Sequence, residues 1–78
     1  MNKDIETLNE LTKTTVLLSY VEKVKKAYLD RYNIKIDLVA IKMYMEKFVK
    51  QRGANELYTK VMFSIIDDYY NENGEMKY

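Results

Sequence analysis

The sequence predicts an all-α fold: a small bundle of three main helices with a short leading helix, in a single domain over residues 1–78. Three observations carry this prediction. Apolar residues recur at three- and four-residue spacing through each long segment. Residues suited to starting or ending helices, Asp37, Gly53, Asn55 and Gly74, fall at the segment boundaries. No proline interrupts any segment, and no two stretches make a convincing pair of strands.

The leading helix covers residues 1–12, with Asn2 or Asp4 as its cap and Ile5, Leu8 and Leu11 on one face. A second helix, from about Thr15 to Arg31, carries the apolar face Leu17, Val21, Val24, Tyr28 and Tyr32. Ser19, Glu22, Lys23, Lys26 and Asp30 lie opposite, with Glu22 and Lys26 spaced to pair. If one helix ran through both segments, the two apolar faces would lie nearly opposite each other. A break or kink is therefore expected at Thr12, Thr14 and Thr15, which are poor helix interior and good caps; the alternative is a continuous helix whose N-terminal turns face a second chain.

The segment Tyr32 to Asp37 alternates and reads either as a connection with Ile34 and Ile36 turned inward or as a short strand. A strand here would have to pair with its own copy in a dimer. Asp37 is placed to cap a helix from Leu38 to Arg52, and Gly53 to end it in the left-handed conformation. The inner face of that helix is Leu38, Ile41, Met45, Phe48 and Val49, with Tyr44 on its margin. Val39 and Met43 fall instead among Lys42, Glu46 and Lys50.

Asn55 caps the last helix, which is expected to run to about Asn71 before Asn73 and Gly74 close it and residues 75–78 fray. Its central stretch, Leu57 to Tyr70, is apolar over roughly two thirds of the helical circumference, where a surface helix is apolar over little more than a third. Such a helix needs cover on more than one side. Either it lies at the centre of the bundle, or one flank meets the bundle and the other meets a second chain.

Composition narrows the function classes. A hydrophobic content of 47% argues for a folded domain, and 78 residues supply a core of only about 3 to 5 kcal/mol without help. With neither Cys nor His, disulfides and the usual zinc sites are excluded, and so are the commonest general base and the best nucleophile. Two glycines do not build a phosphate-cradling loop, and neighbours Asp67 and Asp68 point about 100° apart on a helix. No catalytic, metal-binding or cofactor-binding residue is assigned, and no enzyme activity is expected. No apolar run reaches the roughly 18 to 20 residues of a membrane span, and the start MNKDIETLNE is too acidic and broken for a signal peptide, so a cytoplasmic location is expected. Usage rich in Lys, Asn, Ile and Tyr fits an AT-rich genome, as in many small bacterial, phage or plasmid proteins.

Association with another protein is the staple that composition leaves open. The expected function is therefore a non-enzymatic, regulatory interaction module that docks on another protein, with a homodimer as one form of docking. Eight tyrosines and two phenylalanines suit half-wet contact surfaces. Tyr28, Tyr44 and Tyr58 are assigned to the domain's own core. Phe63 and Tyr70, seven residues apart on one flank of the last helix, are the expected aromatic anchors, with Val39 and Met43 at the edge of the contact.

The second reading is a dimeric DNA-binding regulator. The middle of the chain is basic and its ends are acidic. The order from Tyr32 to Tyr70, alternating segment, helix, Gly turn, helix, resembles that of ribbon-helix-helix repressors, whose paired strands enter the major groove. The resemblance lies in the order of elements over half the chain and in no residue motif. It implies Ile34 and Ile36 in the core and Asn33, Lys35 and Asp37 toward the bases. Lys35, Lys42, Lys47, Lys50 and Arg52 are the residues placed to hold nucleic acid in this reading.

Overall fold

The computed structural model describes residues 2–11 and 13–78, with side chains from Glu6 onward. The described residues form four helices: α1 (Asn2–Leu11), α2 (Thr14–Tyr32), α3 (Leu38–Gln51) and α4 (Glu56–Tyr69). The expected cap at Asn2 or Asp4, the place of Ile5 in the first stripe and the role of Thr12 lie outside the described side chains. α2 packs on the other three helices, and α3 and α4 pack on each other, so the all-α bundle is as the periodicity predicts.

The chain breaks between α1 and α2 where the two apolar faces require it. Lys13 is extended, with φ −82° and ψ 126°, and Thr14 opens α2. Among the described residues no side chain caps this end, and Thr14 and Thr15 enter the first turn rather than capping it. The break lets Leu11 reach the core beside Leu17 and Val21. At the other end of α2, Asn33 takes the left-handed conformation (φ 55°, ψ 38°); its N–H donates to the Leu29 carbonyl and the Ile34 N–H to the Tyr28 carbonyl.

α3 and α4 begin as expected. The Asp37 carboxylate accepts from the Ala40 N–H at 2.9 Å, and the Asn55 side-chain oxygen accepts from the Tyr58 N–H at 2.9 Å. Each cap satisfies one donor that the first helical turn leaves unpaired, worth about 1 kcal/mol. Gly53, at φ 90°, turns the chain between the two helices. The inner side chains Ile41, Met45 and Val49 of α3 meet Met62 and Ile66 of α4 in the buried core.

The segment 33–37 is a connection. Asn33 is left-handed, Ile36 is buried and Ile34 is exposed, so only one of the two isoleucines turns inward. Tyr32, expected on the inner face of α2, is also largely exposed.

The C-terminal end departs most from expectation. α4 stops at Tyr69, because Tyr70 turns to an extended conformation (φ −126°, ψ 141°) that swings its ring into the core. The Asn71 side chain then accepts from the N–H groups of Asn73 and Glu75, which folds the chain into a tight turn. Residues 75–78, expected to fray, instead run back: Met76 bridges Tyr70, and the Lys77 N–H donates to the Tyr69 carbonyl at 2.9 Å. This hairpin is fastened to the connection before α3, with the Leu38 N–H donating to the Glu72 carbonyl at 3.1 Å. Gly74 sits so close beneath Ile36 that a Cβ there would lie 2.5 Å from the Ile36 carbonyl oxygen.

Candidate functional site

Tyr70 is not a surface anchor. It is 1% exposed and ranks among the largest fully buried side chains. Its hydroxyl donates to Glu22 Oε2 at 2.7 Å, and Lys25 pairs with the same carboxylate at 3.2 Å while lying 5.2 Å over the Tyr70 ring. Burial, then the bond to Glu22 and its charge, pushes the Tyr70 hydroxyl well above its ordinary value of 10.0. The Glu22–Lys26 pair expected from spacing is replaced accordingly: Glu22 serves Tyr70 and Lys25, and Lys26 pairs with Asp30 at 2.9 Å.

Phe63 is half-buried on the side of α4 that faces α3, with the Lys42 ammonium 5.7 Å from its ring centre. Phe63 and Tyr70 therefore form no common patch. The tyrosines assigned to the core behave as such. Tyr28 stacks on Tyr44 at 4.3 Å between ring centres, and the Tyr58 hydroxyl donates to the Leu8 carbonyl, tying α4 to α1. The hydrogen bond with Tyr44, then loss of surrounding water, pushes Tyr28 up to about 12. Burial raises Tyr58 as well.

The bare apolar surface of α4 lies elsewhere. Leu57 is 70% exposed and Val61 49% exposed, one turn apart on the side of the helix away from the core. Ile65 and Tyr69 continue the line at four-residue steps, each partly buried, and Tyr78 meets Tyr69 edge-on at 5.9 Å. Four-residue steps drift by about 40° each, so the stripe starts facing solvent at Leu57 and ends against the hairpin at Tyr69. It is about 18 Å long. The over-wide apolar arc of the sequence contains these residues. The i, i+4, i+8 spacing of Leu57, Val61 and Ile65, opposite the Thr59, Met62 and Ile66 core line, is the signal that separates this flank from that of Phe63.

Val39 and Met43 are exposed as the sequence predicts, at 65% and 63%. They form a smaller pair on the outer face of α3.

The basic residues are mostly engaged within the chain. Lys35 pairs with Glu75 at 3.1 Å, Lys42 with Asp67, and Lys50 with Glu46 at 3.6 Å. The Arg52 guanidinium lies 3.7 Å over the Phe48 ring and donates to the Phe48 carbonyl. Lys47 and Arg52 are the two of the five without an acidic partner among the described residues. Lys35, placed to read bases in a ribbon, is tied back to the C-terminal hairpin, and the left-handed Asn33 and outward Ile34 do not fit a strand that buries both isoleucines.

Asp67 and Asp68 diverge, with Asp67 held by Lys42, and no cluster of three or more metal-ligating side chains exists among the described residues. No helix among the described residues is long and apolar enough to cross a membrane. No protein-family model, no curated protein and no solved structure matches this chain, so its fold and surface stand on their own chemistry.

Proposed function

We propose that this protein is a small, non-enzymatic docking module of the cytoplasm that acts by binding another protein through the outer face of α4. The observation that supports this reading is the stripe from Leu57 to Tyr69, whose first two residues stand bare on the outer face of α4. Single exposed apolar residues are common on any surface, but two bare ones a turn apart, continued at helical spacing by the half-buried Ile65 and Tyr69, have the form in which one helix presents itself to another. The rest of the chain makes α4 rigid: Asn55 caps it, Tyr58 ties it to α1, and Lys42 ties Asp67 to α3. A rigid apolar stripe loses little conformational entropy on binding.

The test is to place a photo-cross-linking residue at position 61 and irradiate cells that make the protein. A discrete cross-linked product that disappears with Leu57→Asp is expected. If position 61 yields only uncross-linked chain, the outer face of α4 is plain surface and the docking reading fails.

A further inference from the structure

We propose that the α4 stripe docks on a second copy of this chain, the two helices lying antiparallel across a two-fold axis. This rests on the docking reading above and names its occupant. Charge on the stripe carries the argument. Lys60, near the start of α4, and Asp68, in its last turn, are both exposed, and neither has an ion-pair partner among the described residues. On the helical wheel Asp68 falls between Leu57 and Val61, inside the apolar face, while Lys60 borders it. A carboxylate in that position is costly to cover with an apolar partner unless a cation meets it.

A second copy supplies that cation. With the two-fold axis beside Phe63 and Ser64, Lys60 of each chain comes within one residue of level with Asp68 of the other. The same axis sets Val61 level with Ile65 and Leu57 level with Tyr69, again within one residue, or about 1.5 Å along the helix. The apolar line and the charges thus come into register together. A parallel pairing would set Lys60 level with Lys60 and Asp68 level with Asp68, eight residues from the opposite charge, so the charge pattern selects the antiparallel, isologous arrangement.

Sedimentation equilibrium from micromolar to millimolar protein tests this. The wild-type mass is expected to rise from 9.4 kDa toward twice that value. Lys60→Glu and Asp68→Lys, each alone, put like charges across the axis and should weaken self-association roughly tenfold or more. An equimolar mixture of the two variants restores both attractive pairs and should form a heterodimer. Both sites are exposed, so an unchanged circular dichroism spectrum shows that neither variant acts through the fold. A wild-type chain that stays monomeric at millimolar concentration, or variants that fail to associate when mixed, would overturn the pairing. If the chain is monomeric while position 61 cross-links to a different protein, self-pairing is wrong and the docking reading stands. If it is monomeric and position 61 cross-links nothing, both are wrong.

Discussion

Gly74→Ala should be among the most damaging single changes in this chain, and the structure says by how much. Gly74 has φ +78°, a conformation that costs an L-residue about 1 to 2 kcal/mol. The added Cβ would also lie 2.5 Å from the Ile36 carbonyl oxygen and 3.1 Å from Ile41 Cδ1. The first neighbour is backbone and the second belongs to a fully buried side chain, so neither yields freely, and overpacking of this kind adds about 1 to 3 kcal/mol. The total, about 2 to 5 kcal/mol, is a large part of the roughly 4 to 12 kcal/mol that a chain of this length holds. Gly53→Ala is the control. Its φ is +90° and nothing lies within 4 Å of the new Cβ, so it bears the conformational cost alone, about 1 to 2 kcal/mol. Urea unfolding followed by circular dichroism separates the two. The midpoint of Gly74→Ala should fall clearly below that of Gly53→Ala, with a melting temperature lower by at least about 5 °C. Equal losses would mean that the C-terminal hairpin does not lie against Ile36, and the account of how the core is closed would be wrong.

Tyr70→Phe removes the bond to Glu22 and should cost about 1 kcal/mol near neutral pH, because the half-exposed Glu22 is rehydrated. The folded-state pKa of Tyr70 lies above its unfolded value of 10.0, so its contribution is present below pH 10 and is lost as pH rises beyond it. Wild type and Tyr70→Phe should therefore converge in stability as pH is raised above about 10 in urea titrations. A gap that stays constant to pH 11.5 would contradict the raised pKa. For nucleic acid, five free basic groups on phosphates would give a log–log salt slope of about 4.5. With Lys35, Lys42 and Lys50 paired internally and Arg52 on Phe48, anisotropy titration of a labelled duplex should show a slope below about 2, unchanged by Lys50→Glu.

The parts of this fold that were legible in the sequence are those set by neighbours in the chain. Asp37 and Asn55 cap helices because the donors they satisfy lie three residues on, and Gly53 ends α3 because it alone in that turn takes positive φ without strain. Break and bundle followed from periodicity for the same reason. The site was legible only in outline. The wheel places Tyr70 on the flank of Phe63 if the helix continues, and it does not: the chain leaves the helix at Tyr70 because a buried ring and a bond to Glu22, 48 residues earlier, outweigh one more helical turn. The role of Gly74 depends on a carbonyl 38 residues away, which no local pattern encodes. The engagement of Lys35 and Lys42 is equally invisible, because Glu75 and Asp67 reach them only through the fold. The breadth of the apolar arc in α4 did announce that a flank would be left over, and the structure moves that flank to Leu57 and Val61.

The hairpin that seats Tyr70 and Gly74 also makes the stability of the four helices depend on residues that belong to none of them. A product broken off after residue 69 carries the residues of all four helices and lacks the ring that fills the core between Glu22 and the rest of the bundle. It leaves Ile36 and Ile41 without the backbone that roofs them. Such a product presents open apolar surface and unlatched helix ends, the features that proteases read. A chain ending at residue 69 is therefore expected to melt well below the 78-residue chain, for all that it keeps every helix.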